Sequence, residues 1–142
     1  MAIPVPEPGL VVSYEYLWRS EYEQGREEGR KDRPCVIVVA TRVVGEQTIV
    51  TVVPVTHSAP SDPANAVEIP LVTKRRLGLD GVRSWVVATE VNRFVWPGPD
   101  VRPIAPERFD YGPLPPDLFG RVRNRVGAIA AAQRLGIVTR NG

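Results

Sequence analysis

The chain has 142 residues, a hydrophobic fraction of 43% and a formal charge of +2, which suits one soluble globular domain, residues 1–142, with its own core. One cysteine, Cys35, and one histidine, His57, exclude an internal disulfide and leave too few soft ligands for a typical zinc site, so no metal and no cofactor is expected. The start "MAIPVPEPGL" lacks the pattern of a signal peptide, and no apolar run approaches bilayer length, so the expected setting is a reducing cytoplasm with no membrane contact.

Charge is unevenly placed. From Asp117 onward there are five arginines (121, 123, 125, 134, 140) against that one aspartate, leaving 13 basic and 15 acidic residues before it. A nucleic-acid site in the body of the chain must then be a local arrangement of a few arginines, since no general basic field supplies affinity there.

In chain order, short β-branched runs divided by Pro, Gly and charge read as strands: "LVVSYEYL" (10–17), "CVIVVATR" (35–42), "QTIVTVVPV" (47–55), "AVEIPL" (66–71), "SWVVATEV" (84–91) and "RFVW" (93–96). Gly45 in "VVGEQ" suits a hairpin turn between the second and third. Two connections exceed tight turns. Residues 18–33, "WRSEYEQGREEGRKDR", are crowded with both charges and read by composition as a solvated, partly disordered flap, and 56–65, "THSAPSDPAN", is rich in small residues and proline. The stretch "PLPPDLFGRVRNRVGAIAAAQRLG" predicts one long helix over about 116–135, with Asp117 as N-cap and Gly136 past its end. Leu118, Phe119, Val122, Val126 and Ile129 make its apolar face, and its arginines read as solvated.

Two strand ends stand out. Arg33 precedes Pro34, and "PVTH" (54–57) closes the third strand with a hydroxyl and an imidazole. If the second and third strands form a hairpin, the start of one lies beside the end of the other, and Arg33 and Thr56 become neighbours. Singly, such an arginine is a solvated charge or a salt-bridge partner, here to Asp32 or Glu90, and a Thr-His pair is a turn device. Together they form a candidate phosphate site: a guanidinium fork, a neutral donor and a group that titrates near neutrality. Cys35, inside an apolar run, reads as a buried strand residue. There is no Gly-rich phosphate loop and no Gly-x-Ser-x-Gly elbow.

These residues, "PGLVV", the charged loop, "RPCVIVV", "VVPVTH" and "SWVVATEVNRFVWPG", resemble the PemK/MazF toxin family of bacterial type II toxin–antitoxin modules, over roughly residues 8–104. The resemblance implies a mainly β fold, an SH3-like small β-barrel with a C-terminal α-helix. It implies metal-independent, sequence-specific cleavage of single-stranded RNA, a homodimer, an antitoxin partner whose C-terminal segment fills the RNA groove, and DNA binding by the toxin–antitoxin complex. By position, the family's Arg-Pro arginine falls on Arg33, its strand-end threonine on Thr56 and its later acidic residue on Glu90, with His57 an added candidate for acid or base. The first loop, from Trp18 to Asp32, matches the substrate-binding loop. Its cations Arg19, Arg26, Arg30 and Lys31, with Ser58, are the substrate contacts the resemblance implies.

Three departures mark this chain: "PGL" replaces the common start, "EYEQGREEGR" replaces the usual first-loop motif, and Ala88 stands where some members carry an arginine. Two other readings therefore stay open, a catalytically silent SH3-like module and a CcdB-like gyrase poison acting through its C-terminal helix.

Overall fold

Alternating β-branched residues on a strand can bury both faces of a sheet, provided something covers each face. In the computed structural model, which describes residues 3–42, 45 and 47–140, this is how the core is built. The elements are β1 (Leu10–Glu15), α1 (Arg19–Glu23), β2 (Asp32–Arg42), β3 (Thr48–Thr56), a 3-10 turn (Pro63–Asn65), β4 (Ala66–Ile69), α2 (Leu71–Leu77), β5 (Ser84–Val87), β6 (Glu90–Val95), β7 (Asp110–Pro113), α3 (Pro116–Ala131) and β8 (Gly136–Thr139). Val11, Val36, Val38, Val53 and Val55 face one cluster, which takes in Leu118, Val122 and Ile129 of α3. Their chain neighbours Val12, Cys35, Ile37, Val50 and Val52 face the other, with Tyr14, Tyr16 and Phe94.

The strands run β4-β5-β3-β2-β1-β7, and the far edge of β3 carries both β5 and β6. All pairs are antiparallel except β6 with β8, and the result is a curled, mainly antiparallel β fold with a C-terminal helix. The expected β2–β3 hairpin forms, pairing Cys35 with Pro54 and Arg42 with Thr48, with one extra residue, Val38, in β2. Gly45 has a positive φ of 93°, as its turn requires, while Val43, Val44 and Glu46 of that turn lie outside the described residues.

Several elements differ from those the sequence pattern predicts. "SWVVATEV" is two strands: β5 pairs Val86 with Val55, whereas β6 pairs Asn92 with Val52, an offset that Ala88 and Thr89 absorb. These two residues leave the β3 ladder and find other partners, Ala88 N–H donating to Asn65 O (2.8 Å) and Thr89 O accepting from Gly136 N (2.9 Å). "RFVW" is thus the continuation of β6, and "AVEIPL" ends at Ile69 because Pro70 opens α2. In α3 the N-cap is Pro115 and Asp117 lies in the first turn, where its charge favours the positive helix end but makes no cap bond. The helix closes at Ala131, and Gly136 begins β8 instead of terminating the helix. Its buried face is Leu118, Val122, Val126 and Ile129, and Arg121, Arg123, Arg125 and Arg134 are exposed, as expected.

The 18–33 connection is ordered by its own charges. Glu21, buried in α1, accepts from Trp18 N–H at 3.1 Å and faces Arg30 at 3.3 Å and Arg26 at 3.8 Å. Gly29 passes so close to Tyr16 O that a Cβ would stand 2.2 Å away, so no other residue fits. Buried Asn92 clamps the loop's entrance, accepting from Leu17 N–H (2.9 Å) and donating to Leu17 O (2.8 Å). Among the described residues, no helix is long and apolar enough to cross a membrane.

Candidate functional site

Continuing the β2–β3 register two residues past Cys35 and Pro54 sets Arg33 opposite Thr56. Both line a cleft of about 870 Å³ that also takes in Lys31, His57, Ser58 and Thr89. Pro34 fixes the backbone where the charged loop meets the strand, so Arg33 is aimed from a rigid base. Its guanidinium carbon lies 4.9 Å from the Trp18 ring centroid and its Nη1 makes one long bond, 3.4 Å, to Val55 O. Arg33 Nε is buried with no partner. A buried donor left unpaired is costly, and an incoming oxyanion would satisfy it. Thr56 Oγ1 accepts from Ser58 N–H at 3.2 Å, which fixes the hydroxyl oxygen and leaves its own hydrogen free to donate.

His57 enters the cleft beside groups the sequence reading did not single out. Its Nε2 lies 2.8 Å from Asp80 Oδ2. Asp80 Oδ1 accepts from Lys74 Nζ at 2.5 Å and from Val82 N–H at 3.1 Å. Lys74, only 2% exposed, directs its three donors at Asp80, Ser84 Oγ (2.5 Å) and Val82 O. The Lys74 hydrogen bond, more than any other contact, holds the Asp80 carboxyl down to about 2, so it is anionic at neutral pH. Lys74 in "LVTKRRLG" and Asp80 in "LGLDGV" carry no sequence signal that ties either to His57, because α2 and the turn after it fold back over the cleft only in three dimensions.

The other expected site residues lie elsewhere. Glu90 does not line the cleft. Its Oε1 accepts from Tyr16 OH (3.2 Å) and Arg19 N–H (2.9 Å), and burial raises its carboxyl pKa. Arg19 pairs with Glu23 at 3.7 Å, and Arg26 and Arg30 with Glu21, so these three loop cations serve α1 and its loop. Of the expected substrate contacts, only Lys31 and Ser58 line the cleft. Cys35 is fully buried and burial pushes its thiol pKa up, which keeps it a protonated core side chain.

Residues 16–94 match the family model described as PemK-like, MazF-like toxin of type II toxin–antitoxin system. The chain belongs to this family. The matched segment spans β2, β3, α2 and β5, and so carries Arg33, Thr56, His57, Lys74 and Asp80. Solved structures agree on the fold. MazF (Form-I) from Deinococcus radiodurans superposes with a TM-score of 0.59 at 22% identity, covering 91% of this chain and 99% of that one. A MazE–MazF structure (Form-II) from the same organism gives 0.55 at 20% identity, covering 90% and 97%. No functionally curated protein matches. The PemK/MazF fold accounts for the curled sheet and its C-terminal helix.

Proposed function

We propose that this PemK/MazF-family toxin is an endoribonuclease that cuts single-stranded RNA through the substrate's own 2′-hydroxyl. The observation that carries the reading is the opening of the Arg33 guanidinium, the Thr56 hydroxyl and the His57 imidazole on one cleft, with Arg33 Nε buried and unpartnered.

The 2′-oxygen attacks the adjacent phosphorus, the P–O5′ bond breaks, and the products end in a 2′,3′-cyclic phosphate and a 5′-hydroxyl. Arg33 turns its guanidinium toward the charge that grows on the phosphoryl oxygens, while Thr56 donates to one of them. His57 is the cleft side chain whose ring can both accept and donate a proton. Lys31 and Ser58 contact the flanking backbone, and Trp18 offers an aromatic face for a base. Glu90 works from behind, holding Tyr16 and the start of α1. Since the nucleophile belongs to the substrate, turnover needs no divalent cation.

The reading extends to a cytoplasmic homodimer and to an antitoxin partner covering the cleft, in line with the MazE–MazF pairs solved from Deinococcus radiodurans. The test is incubation of the protein with a long single-stranded RNA in EDTA. Discrete cuts ending in cyclic phosphate are expected, together with their loss in Arg33→Ala of unchanged circular dichroism. Intact RNA across varied sequences, or undiminished cutting by Arg33→Ala, overturns the proposal and favours a binding module.

A further inference from the structure

We propose that Lys74 and Asp80 are positioning residues that fix the tautomer of His57, so that His57 Nδ1 is the base that takes the proton from the RNA 2′-hydroxyl. This deepens the ribonuclease reading and rests on it. The two oxygens of Asp80 serve different partners. Oδ1 is committed twice, to Lys74 Nζ and to Val82 N–H, and Oδ2 is left for His57 Nε2 at 2.8 Å. Lys74 is buried, and its remaining donors are taken by Ser84 and the Val82 carbonyl, so it cannot turn away. The carboxylate is therefore both anionic and fixed in rotation. An anionic oxygen can only accept, so neutral His57 must carry its hydrogen on Nε2, and Nδ1 must hold the lone pair. Among the described residues Nδ1 has no protein partner, and His57 lines the same cleft as Arg33 and Thr56.

The proton balance closes with water alone. As O2′ bonds to phosphorus its proton passes to Nδ1, giving an imidazolium that Asp80 stabilises across Nε2. The departing O5′ takes a proton from a cleft water, and the hydroxide left behind recovers the proton from Nδ1. His57 is returned neutral, in the starting tautomer.

Asp80→Asn tests this with the shape of the side chain retained, and circular dichroism checks that the fold survives the loss of the Lys74 counter-charge. Lys74 and Val82 N–H both require an acceptor, so the single amide oxygen must stay at the Oδ1 position. The NH₂ group then faces His57 Nε2, which must become an acceptor, and the ring hydrogen moves to Nδ1. His57 is the sole histidine, so the ring-nitrogen shifts of ¹⁵N-labelled protein report its tautomer unambiguously. The wild type is expected to show Nε2–H and Asp80→Asn to show Nδ1–H. With a short RNA, kcat should fall about 100-fold or more, the scale of a lost general base, and KM should stay within about twofold. His57→Ala should fall equally far, and the double variant no further. An unchanged tautomer in Asp80→Asn, or full kcat in either single variant, overturns the inference while leaving the cleavage reading intact. A wild type that cuts no RNA overturns the cleavage reading, and the catalytic half of this inference with it.

Discussion

Arg33 and Arg140 approach the same strand, β1, and meet opposite fates. Arg140 is buried and fully engaged: it donates to the carbonyls of Glu15 and Glu27 and to Tyr14 OH, and lies 3.2 Å from Asp100 and 3.7 Å from Glu15. Arg33 has one long bond, a Trp18 face and a buried, unpartnered Nε. A guanidinium consumed by carboxylates and carbonyls holds the fold together. One kept short of partners can receive an anion from outside. Both meet β1 at Tyr14–Glu15, Arg33 by pairing with Tyr14 in the sheet and Arg140 through Tyr14 OH and Glu15, so the contrast lies in their partners, and each arginine can be removed separately.

The largest effect is expected from Arg33→Ala. Cleavage should fall about 100- to 1,000-fold, as on removing one charge-stabilising donor, with the urea midpoint unchanged. Arg140→Ala should invert that pattern, destabilising the fold by about 2 kcal/mol in urea titration, because the Glu15 and Glu27 carbonyls and Tyr14 OH lose a buried donor and Asp100 its nearest cation, while Arg102 still faces Glu15. If Arg140→Ala instead abolished cleavage at full stability, the division of labour would be wrong. Asn92→Ala comes next. It strips the Leu17 amide of both bonds at a site with no solvent access and should cost about 2 kcal/mol, read from the same titration.

Acid separates the surroundings of the two arginines, because Asp80 in the Arg33 cleft and Asp100 beside Arg140 respond with opposite sign. Asp80 has its folded pKa lowered to about 2, so its stabilising contribution is complete above the ordinary aspartate value and is lost as pH falls toward 2. Asp100 has its pKa raised, chiefly by burial, so its protonated form is favoured on folding and its contribution weakens as pH rises through that raised value. The stability gap between wild type and Asp80→Asn should therefore shrink between about pH 5 and pH 2, followed by urea midpoints. The smallest effect belongs to Arg83→Ala. Its bidentate pair with Glu68, at 2.8 and 2.9 Å, is exposed on both sides, and neither midpoint nor cleavage should move measurably.

Much of this was legible in the sequence. The alternation of valines and isoleucines over 35–42 and 47–55, with Gly45 between them, determined a hairpin, because period-two burial and a positive-φ turn admit few alternatives. The hairpin alone placed Arg33 beside Thr56. The apolar stripe of α3 was equally plain, since Leu118, Val122, Val126 and Ile129 recur at the helical period. The short elements were hidden. β7 and β8 have four residues each, and β8 is held by a parallel partner more than forty residues away, so neither carries a local pattern strong enough to read. The break at Ala88 and Thr89 was hidden too, as the carbonyl and amide that compensate for it come from Asn65 and Gly136.

The site divides along the same line. Sequence by itself determined which strand ends meet, because register is a local property of a hairpin. Tertiary structure alone decided which charges remain available there. It drew Arg19, Arg26 and Arg30 into ion pairs around α1, turned Glu90 to Tyr16 and the Arg19 amide, and folded α2 and its following turn so that a buried lysine and an aspartate meet the only histidine. A guanidinium or imidazole reads the same in any sequence. Its chemistry depends on which of its nitrogens already have partners, and those partners are brought by distant parts of the chain.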